Sequence, residues 1–305
     1  MSFFDWLQTI ILGIVQGITE WLPISSTGHM ILANEFFGGV FSANGSKDFM
    51  DLFLVVIQFG SILAVLFLYF HKLNPFSPRK SQKEKKETFS LWGKVIVAAI
   101  PGGVIGFLFD DLISGYLYTP LVVAIALVVY GIAFIVIESM HKKPQIETLS
   151  QLTYRTAFLI GLFQVLALIP GTSRSGSTIL GAVLLGTSRF VAAEFSFFLA
   201  IPMMIGASGY KILKYIMHGF SFGTVEWIIL LVGMVVAFLV SVFAIKFLMG
   251  YIKKHDFKAF GWYRIILGII VILYFFLQGS CWHYKKDEKR TALSILWERC
   301  PFLYR

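Results

Sequence analysis

GIVQGITEWLPISSTGHMIL, residues Gly13–Leu32, sets a carboxylate (Glu20), three hydroxyls (Ser25, Ser26, Thr27) and an imidazole (His29) between apolar runs. A second polar run, PGTSRSGST (Pro170–Thr178), carries Arg174 in an equally apolar setting. Ionisable groups at membrane depth cost roughly 2.5–3.5 kcal/mol at the centre of a spanning helix. A chain that keeps Glu20, His29 and Arg174 there is expected to use them. A carboxylate, hydroxyls, an imidazole and a guanidinium are together what phosphate-ester chemistry needs.

The surrounding chain makes membrane depth the right frame. Of its 305 residues 57% are apolar and 14% charged, and the mean hydropathy is +0.77. A soluble domain would carry about 25% charge, so the sequence reads as an all-α polytopic membrane protein. Ser2–Ile18 lacks the basic start and small-residue site of a cleavable signal. The net charge of +9 lies mostly in short loops between apolar runs. That is the positive-inside pattern, not a nucleic-acid surface. Two cysteines, Cys281 and Cys300, both in the tail, make neither a disulfide framework nor a metal spacing.

Six stretches are long and apolar enough to span a bilayer, which takes about 20 helical residues. They are Leu52–Tyr69, Leu91–Phe109, Leu117–Ile137, Val191–Tyr210, Trp227–Leu248 and Gly261–Leu277. Pro101 and Pro202 inside them predict kinks. Trp6–Thr19 and Thr156–Ile169 are too short to cross. Each is followed by a Ser/Thr/Gly loop and another short apolar run (Met30–Phe37 and Ile179–Leu185). Both are expected to be re-entrant helical hairpins, residues 5–38 and 154–187, since non-helical backbone at that depth must line a cavity or be buried in protein.

The two hairpins look like copies at an offset of 148 residues: Gly13 matches Gly161, Gln16 matches Gln164, Ser25 matches Ser173 and Gly28 matches Gly176. The alternative is two independent Gly/Ser-rich breaks in hydrophobic helices. Three spans separate the hairpins, and an odd number puts them on opposite faces. The expected architecture is an inverted-topology repeat, residues 1–139 and 140–279, followed by a polar tail, 280–305. Such repeats place their sites where broken helices meet near the midplane. The basic residues of loops 71–90, 140–155 and 250–259 set those loops in the cytoplasm and both termini outside. Lys285, Lys286, Lys289 and Arg290 of the tail run against that orientation.

Arg174 lies among small residues in SRSG, where backbone amides can approach an anion and the guanidinium offers a planar fork to phosphate. The plainer alternative is an Arg that snorkels or pairs with Glu138 or Glu194. Thr172, Ser173, Ser175 and Thr178 can add hydrogen bonds or cap a helix. A helix starting near Ser175–Gly176 would point its N-terminus at the anion. Gln16 and Glu20 share a helix face at i, i+4. Glu20 can hold a divalent cation, act as a base, or serve as a structural partner of the loop. A lone His is more often a satisfied core residue, but His29 beside Ser25, Ser26 and Thr27 favours function. Glu194 fits either a supporting carboxylate or a partner for Arg189.

These motifs, with EFSF (Glu194–Phe197) and VVIQFGSILAV (Val55–Val65), resemble the undecaprenyl-diphosphatase (bacitracin resistance) family of bacterial membrane phosphatases. The resemblance runs from about Phe3 to Leu277. It implies hydrolysis of undecaprenyl diphosphate to undecaprenyl phosphate and inorganic phosphate, recycling the lipid carrier of cell-wall synthesis at the bacterial plasma membrane. It also implies an interdigitated inverted repeat, with Glu20, Ser26, His29 and Arg174 as the core of the site. Gln16, Ser25, Thr27 and the Thr172–Thr178 run, Gly176 included, would bind substrate. Many members have Glu where this chain has Gln16. That departure puts a two-carboxylate metal clamp in doubt here, while Glu20 with phosphate oxygens and water can still hold Mg²⁺ or Ca²⁺.

The expected partners are a polyprenyl diphosphate and membrane lipids, and a homodimer is compatible with the sequence. The other lipid-phosphatase pattern, Ser-Arg then five residues then His, fails: Leu180 and Phe195 stand at the required positions. The rival reading is a polyprenyl-phosphate flippase built on the same inverted-repeat pocket. It would need Arg174 but neither a nucleophile nor a proton carrier, so Ser26→Ala and His29→Ala discriminate the two.

Overall fold

The computed structural model describes residues 2–37, 41, 47–117, 119–140, 143–217 and 223–277; the tail from 280 onward, with Cys281 and Cys300, lies outside them. The described chain is helical, with one isolated bridge between Ile146 and Thr187. Its helices are α1 (Phe3–Thr19), α2 (Ser26–Phe36), α3 (Lys47–Leu68), α4 (Phe70–Leu73), α5 (Gln82–Leu117) and α6 (Pro120–Ser139). There follow α7 (Tyr154–Val165), a 3-10 turn (Leu166–Leu168), α8 (Arg174–Leu184), α9 (Arg189–Met217), α10 (Thr224–Tyr251) and α11 (Lys258–Leu277).

Six of these, α3, α5, α6, α9, α10 and α11, are long and apolar enough to cross a membrane, one for each expected span. The protein is therefore a multi-pass membrane protein. Its outward apolar residues recur at helical spacing, as lipid contact requires: Leu231, Val235, Leu239 and Phe243 on α10 are all largely exposed. Pro101 lies inside α5 and Pro202 inside α9.

Helix starts follow local chemistry. Ser2 and Asp5 form a capping box on α1, and Thr119 with Pro120 opens α6. Helix α5 begins well before the expected Leu91. Ser81 and Glu84 form a capping box, the Ser81 amide donating to Glu84 Oε2 and the Glu84 amide to Ser81 Oγ, so helix extends into the basic loop. Helix α2 begins at Ser26, ahead of the apolar run Met30–Phe37. The polar residues that read as loop form its first turn, because Ser25 reverses the chain immediately before them.

The packing is interlocked. Helix α1 seats on α10 and α7 on α5, while α6 pairs with α11 and α3 packs against both α10 and α9. Small residues permit these approaches. A Cβ on Gly13 would lie 3.1 Å from the Gly233 carbonyl oxygen, and one on Gly161 would run into the Ala98 backbone. The principal core is aromatic and aliphatic, built around Trp21, Phe195, Phe197, Phe198 and Phe257. Trp21, Leu22 and Ile24 of the first polar loop belong to it.

Candidate active site

The α1–α2 and α7–α8 connections carry the same backbone device. Ser25 has φ 74° and Ser173 φ 70°, the only non-glycine residues with positive φ among those described. Such conformations cost about 1–3 kcal/mol each and persist where surrounding structure enforces them. Here each seryl oxygen accepts from the amide three residues on: Gly28 N–H to Ser25 Oγ at 3.4 Å and Gly176 N–H to Ser173 Oγ at 3.2 Å. Each serine thereby stands at the head of a helix, α2 or α8, whose first amides have no intrahelical acceptor.

The loops touch one another. The Ser175 hydroxyl, buried, lies 3.3 Å from both the Glu20 and Leu22 carbonyl oxygens. Arg174 reaches across the same seam: Nη2 donates to Glu20 Oε1 at 3.1 Å and Nη1 to the Ser196 carbonyl at 2.9 Å. The guanidinium sits 5.7 Å from the Trp21 ring centroid, and its Nε has no partner. Glu20 is nearly enclosed, and Gln16 Nε2 donates to its other oxygen at 3.0 Å. The i, i+4 spacing of Gln16 and Glu20 thus becomes a direct bond.

His29 is held at both nitrogens. Nδ1 lies 2.7 Å from the Ser25 carbonyl oxygen, which can only accept, so Nδ1 carries the proton of the neutral ring. Nε2 then accepts from the Tyr263 hydroxyl at 2.6 Å, and the two rings lie nearly parallel. Ser26, Thr27, Ser173 and Arg174 are each partly exposed on this face. Buried hydroxyls do other work. Thr172 Oγ1 donates to the Leu166 and Ile169 carbonyls, and Thr178 Oγ1 bonds the Arg174 and Ser175 carbonyls and the Ser196 hydroxyl. Thr172 and Thr178 hold the loop and helix in shape. Gly176 admits a neighbouring guanidinium, that of Arg264: a Cβ there would lie 3.1 Å from Arg264 Nη1.

Two pairings replace the alternatives that the sequence left open. Arg174 pairs with Glu20 rather than Glu138 or Glu194, and Glu194 pairs with Lys72 at 2.7 Å rather than with Arg189. Arg189 instead makes a fork to Glu138. Helix α9 decides both: Arg189 lies in its first turn beside the end of α6, and Glu194 more than a turn further along meets the α4 turn.

Sequence reasoning missed Tyr263 and Arg264, adjacent on α11. Arg264 is fully enclosed; Nη1 donates to the Pro23 carbonyl at 3.1 Å and Nη2 to those of Gly171 and Thr172, each at 2.9 Å. The available signal was an Arg inside an apolar span, Gly261–Leu277, with no acid near it in sequence.

As a metal site, the pocket offers one carboxylate. Among the described residues no three His, Cys, Asp or Glu side chains cluster as a cation cage. Glu20 has one donor on each oxygen and a lone pair to spare on each. That donor set suits a cation that keeps water and shares phosphate oxygens, not one caged by protein.

The profile of the bacitracin resistance protein BacA family matches residues 9–270. The chain is 63% identical over 276 residues to undecaprenyl-diphosphatase 1 of Clostridioides difficile (strain 630), covering 90% of this chain and 98% of that one. It is 59% identical over 276 residues to undecaprenyl-diphosphatase of Enterococcus faecalis (strain ATCC 700802 / V583), at 90% and 99% coverage. It is 60% identical over 279 residues to undecaprenyl-diphosphatase of Latilactobacillus sakei subsp. sakei (strain 23K), at 91% and 100% coverage.

Proposed function

The chain belongs to the bacitracin resistance protein BacA family, and from that membership we propose that it hydrolyses undecaprenyl diphosphate to undecaprenyl phosphate and inorganic phosphate. Bacitracin resistance follows from the same recycling of the lipid carrier. The observation that carries this reading is the meeting of Arg174 with Glu20 across the two polar loops that head α2 and α8. A paired cation and carboxylate at the junction of two helix N-termini suits a polyanion.

In this reading Arg174 and the first amides of α8 hold the terminal phosphate, and the first turn of α2, with Thr27, faces the same group. The nucleophile is Ser26 or a water it orients. It attacks the terminal phosphorus in line, the bond to the bridging oxygen breaks, and the prenyl phosphate leaves; where Ser26 attacks, a water then breaks the Oγ–P bond and releases inorganic phosphate. His29 Nε2 takes the nucleophile's proton once Tyr263 turns aside, while its Nδ1–H stays on the Ser25 carbonyl. Positioning and charge stabilisation supply most of the rate in such transfers. Glu20 would hold a divalent cation, Mg²⁺ or Ca²⁺, together with phosphate oxygens; bound there, the cation supplies charge neutralisation. Glu20 also keeps Arg174 aimed.

The shared device at Ser25 and Ser173, together with α1 on α10 matched by α7 on α5, supports an inverted repeat of residues 1–139 and 140–279. The α1–α2 and α7–α8 units would then be re-entrant, since α1 has 17 residues, α2 and α8 have 11 each and α7 has 12. Both termini would lie outside.

The test is phosphate release from a C15 or C55 prenyl diphosphate by detergent-purified protein, with Mg²⁺, Ca²⁺ or chelator, beside Arg174→Ala. Metal-dependent release lost in the variant is the expected result. No release from folded protein under any condition would sink the proposal.

A further inference from the structure

Four cations in the described chain are answered by carboxylates: Arg174 by Glu20, Arg189 by Glu138, Lys72 by Glu194 and Lys258 by Asp256. Arg264 breaks that pattern. It is 0% exposed, yet every acceptor it reaches is a neutral carbonyl: Pro23 of the first polar loop, Gly171 and Thr172 of the second. Its flat face lies over the Tyr130 ring at 5.4 Å, and Tyr130 in turn accepts from the Ser177 hydroxyl at 3.2 Å. Lys94, which also bonds only carbonyls, differs in lining a surface cavity with Glu84 and Glu87. The carbonyls take hydrogens of Nη1 and Nη2 but leave Nε without a partner and the charge unanswered, and an uncompensated charge in a protein interior costs several kcal/mol.

We propose that Arg264 is a positioning residue for the diphosphate: it ties the two polar loops together from behind and supplies positive charge that the bound substrate neutralises. The proposal rests on the assignment of this pocket to a diphosphate. Two features of the geometry carry it. First, no side chain stands between Arg264 and the first turn of α8, because Gly176 occupies that position and a Cβ there would lie 3.1 Å from Nη1. The cation is therefore close to the helix head where an anion binds.

Second, the bonds it makes aim donors. The Thr172 carbonyl and the Ser173 N–H belong to one trans peptide unit, so they point in opposite directions. Drawing the carbonyl onto Nη2 turns the Ser173 amide away from Arg264. A peptide whose oxygen accepts from a guanidinium is also a stronger donor at its nitrogen. Ser173, partly exposed and at positive φ, heads α8, so the amide so aimed belongs to the anion site. Because Pro23 is held by the same guanidinium, one side chain from α11 joins the Ser175 and Arg174 bonds in fixing the spacing between the heads of α2 and α8.

The test uses the full-length protein in detergent, with pyrophosphate as binding probe and a C15 prenyl diphosphate as substrate. Arg264→Gln removes the charge and most of the fork; Arg264→Lys keeps the charge and loses the fork. For Arg264→Gln we expect KM to rise about tenfold or more and the pyrophosphate-induced rise in Tm to vanish. For Arg264→Lys we expect the Tm rise to persist and kcat per folded molecule to fall about tenfold. A residue that merely staples the loops would lower the yield of folded protein and leave KM, kcat per folded molecule and the pyrophosphate response unchanged. That result in folded Arg264→Gln overturns the proposal. If Arg264→Gln is not monodisperse, Arg264→Lys decides, and an unchanged kcat there overturns it. Wild-type protein that binds pyrophosphate but releases no phosphate would count against the phosphatase assignment alone, and the pyrophosphate response would still judge Arg264.

Discussion

Arg174 Nη2 and Glu20 Oε1, separated by 154 residues of chain, lie 3.1 Å apart. Neither group is free to leave the other cheaply: Glu20 is nearly enclosed and Arg174 only slightly open. Removing one partner of such a pair leaves a buried charge unanswered. Glu20→Ala and Arg174→Ala should therefore each lower Tm as well as abolish turnover. The double variant should cost less than the sum of the two, by about 1 kcal/mol or more. A thermal double-mutant cycle checks this, and strict additivity would mean that the pair does not act as a unit.

Gln16 donates to Glu20 at 3.0 Å. Gln16→Glu turns that bond into a repulsion between two carboxylates, which a divalent cation relieves. The variant should be less stable than wild type in chelator and should reach half-maximal activity at a lower Mg²⁺ concentration. Titration of Tm and phosphate release against Mg²⁺ measures both, and identical Mg²⁺ curves would remove Glu20 as the cation's anchor.

Ser26 and His29 should divide binding from chemistry. Ser26→Ala and His29→Ala are expected to lose about 10²–10⁴ in kcat, the usual scale for acid–base groups, while pyrophosphate still raises Tm. Tyr263→Phe removes the hydroxyl that donates to Nε2 of the neutral ring. A donor to the neutral form favours that form, so its loss should move the acidic limb of the kcat/KM profile to higher pH. A pH–rate profile unchanged in Tyr263→Phe would mean that the hydroxyl does not tune the base.

Two glycines test the packing. Gly171 has φ +94° and a Cβ there would meet the Val123 carbonyl oxygen at 2.5 Å, whereas a Cβ on Gly103 of α5 meets nothing within 4 Å. Gly171→Ala should destabilise by about 2 kcal/mol or more. Gly103→Ala should be neutral or stabilise by up to about 1 kcal/mol, as in a helix interior. Thermal melts in detergent distinguish them.

Orientation is open to chemical labelling. In intact cells a membrane-impermeant maleimide should reach Cys281 and Cys300 in the tail, and in a variant without those cysteines it should fail to reach Ser81→Cys in the basic loop. Labelling of Ser81→Cys from outside would reverse the assigned topology.

Much of the molecule was legible because a bilayer imposes lengths and prices that read directly from sequence. About 20 apolar residues per span is a geometric demand, so Leu52–Tyr69 and Trp227–Leu248 corresponded closely to α3 and α10. Glu20, His29 and Arg174 stand out because ionisable groups are rare between apolar runs of a membrane protein. Arg264 was equally anomalous, but it follows the basic loop 250–259 closely enough to pass for an interfacial residue. Ser26 and Thr27 look like loop in sequence, yet they form the first turn of α2, because a helix head accepts such residues readily once Ser25 has turned the chain.

The amino-acid order by itself determined the six apolar helices and the two polar interruptions, since each depends on local composition and on the thickness of a membrane. It could not determine who meets whom. That Arg174 takes Glu20, that Lys72 takes Glu194, and that Arg264 on α11 holds Pro23 and Thr172 together are choices among several buried charges and carbonyls of similar chemistry. They are settled only by which helices lie side by side, and that depends on small-residue contacts such as Gly13 with Gly233 and Gly161 with Ala98, summed over the whole bundle.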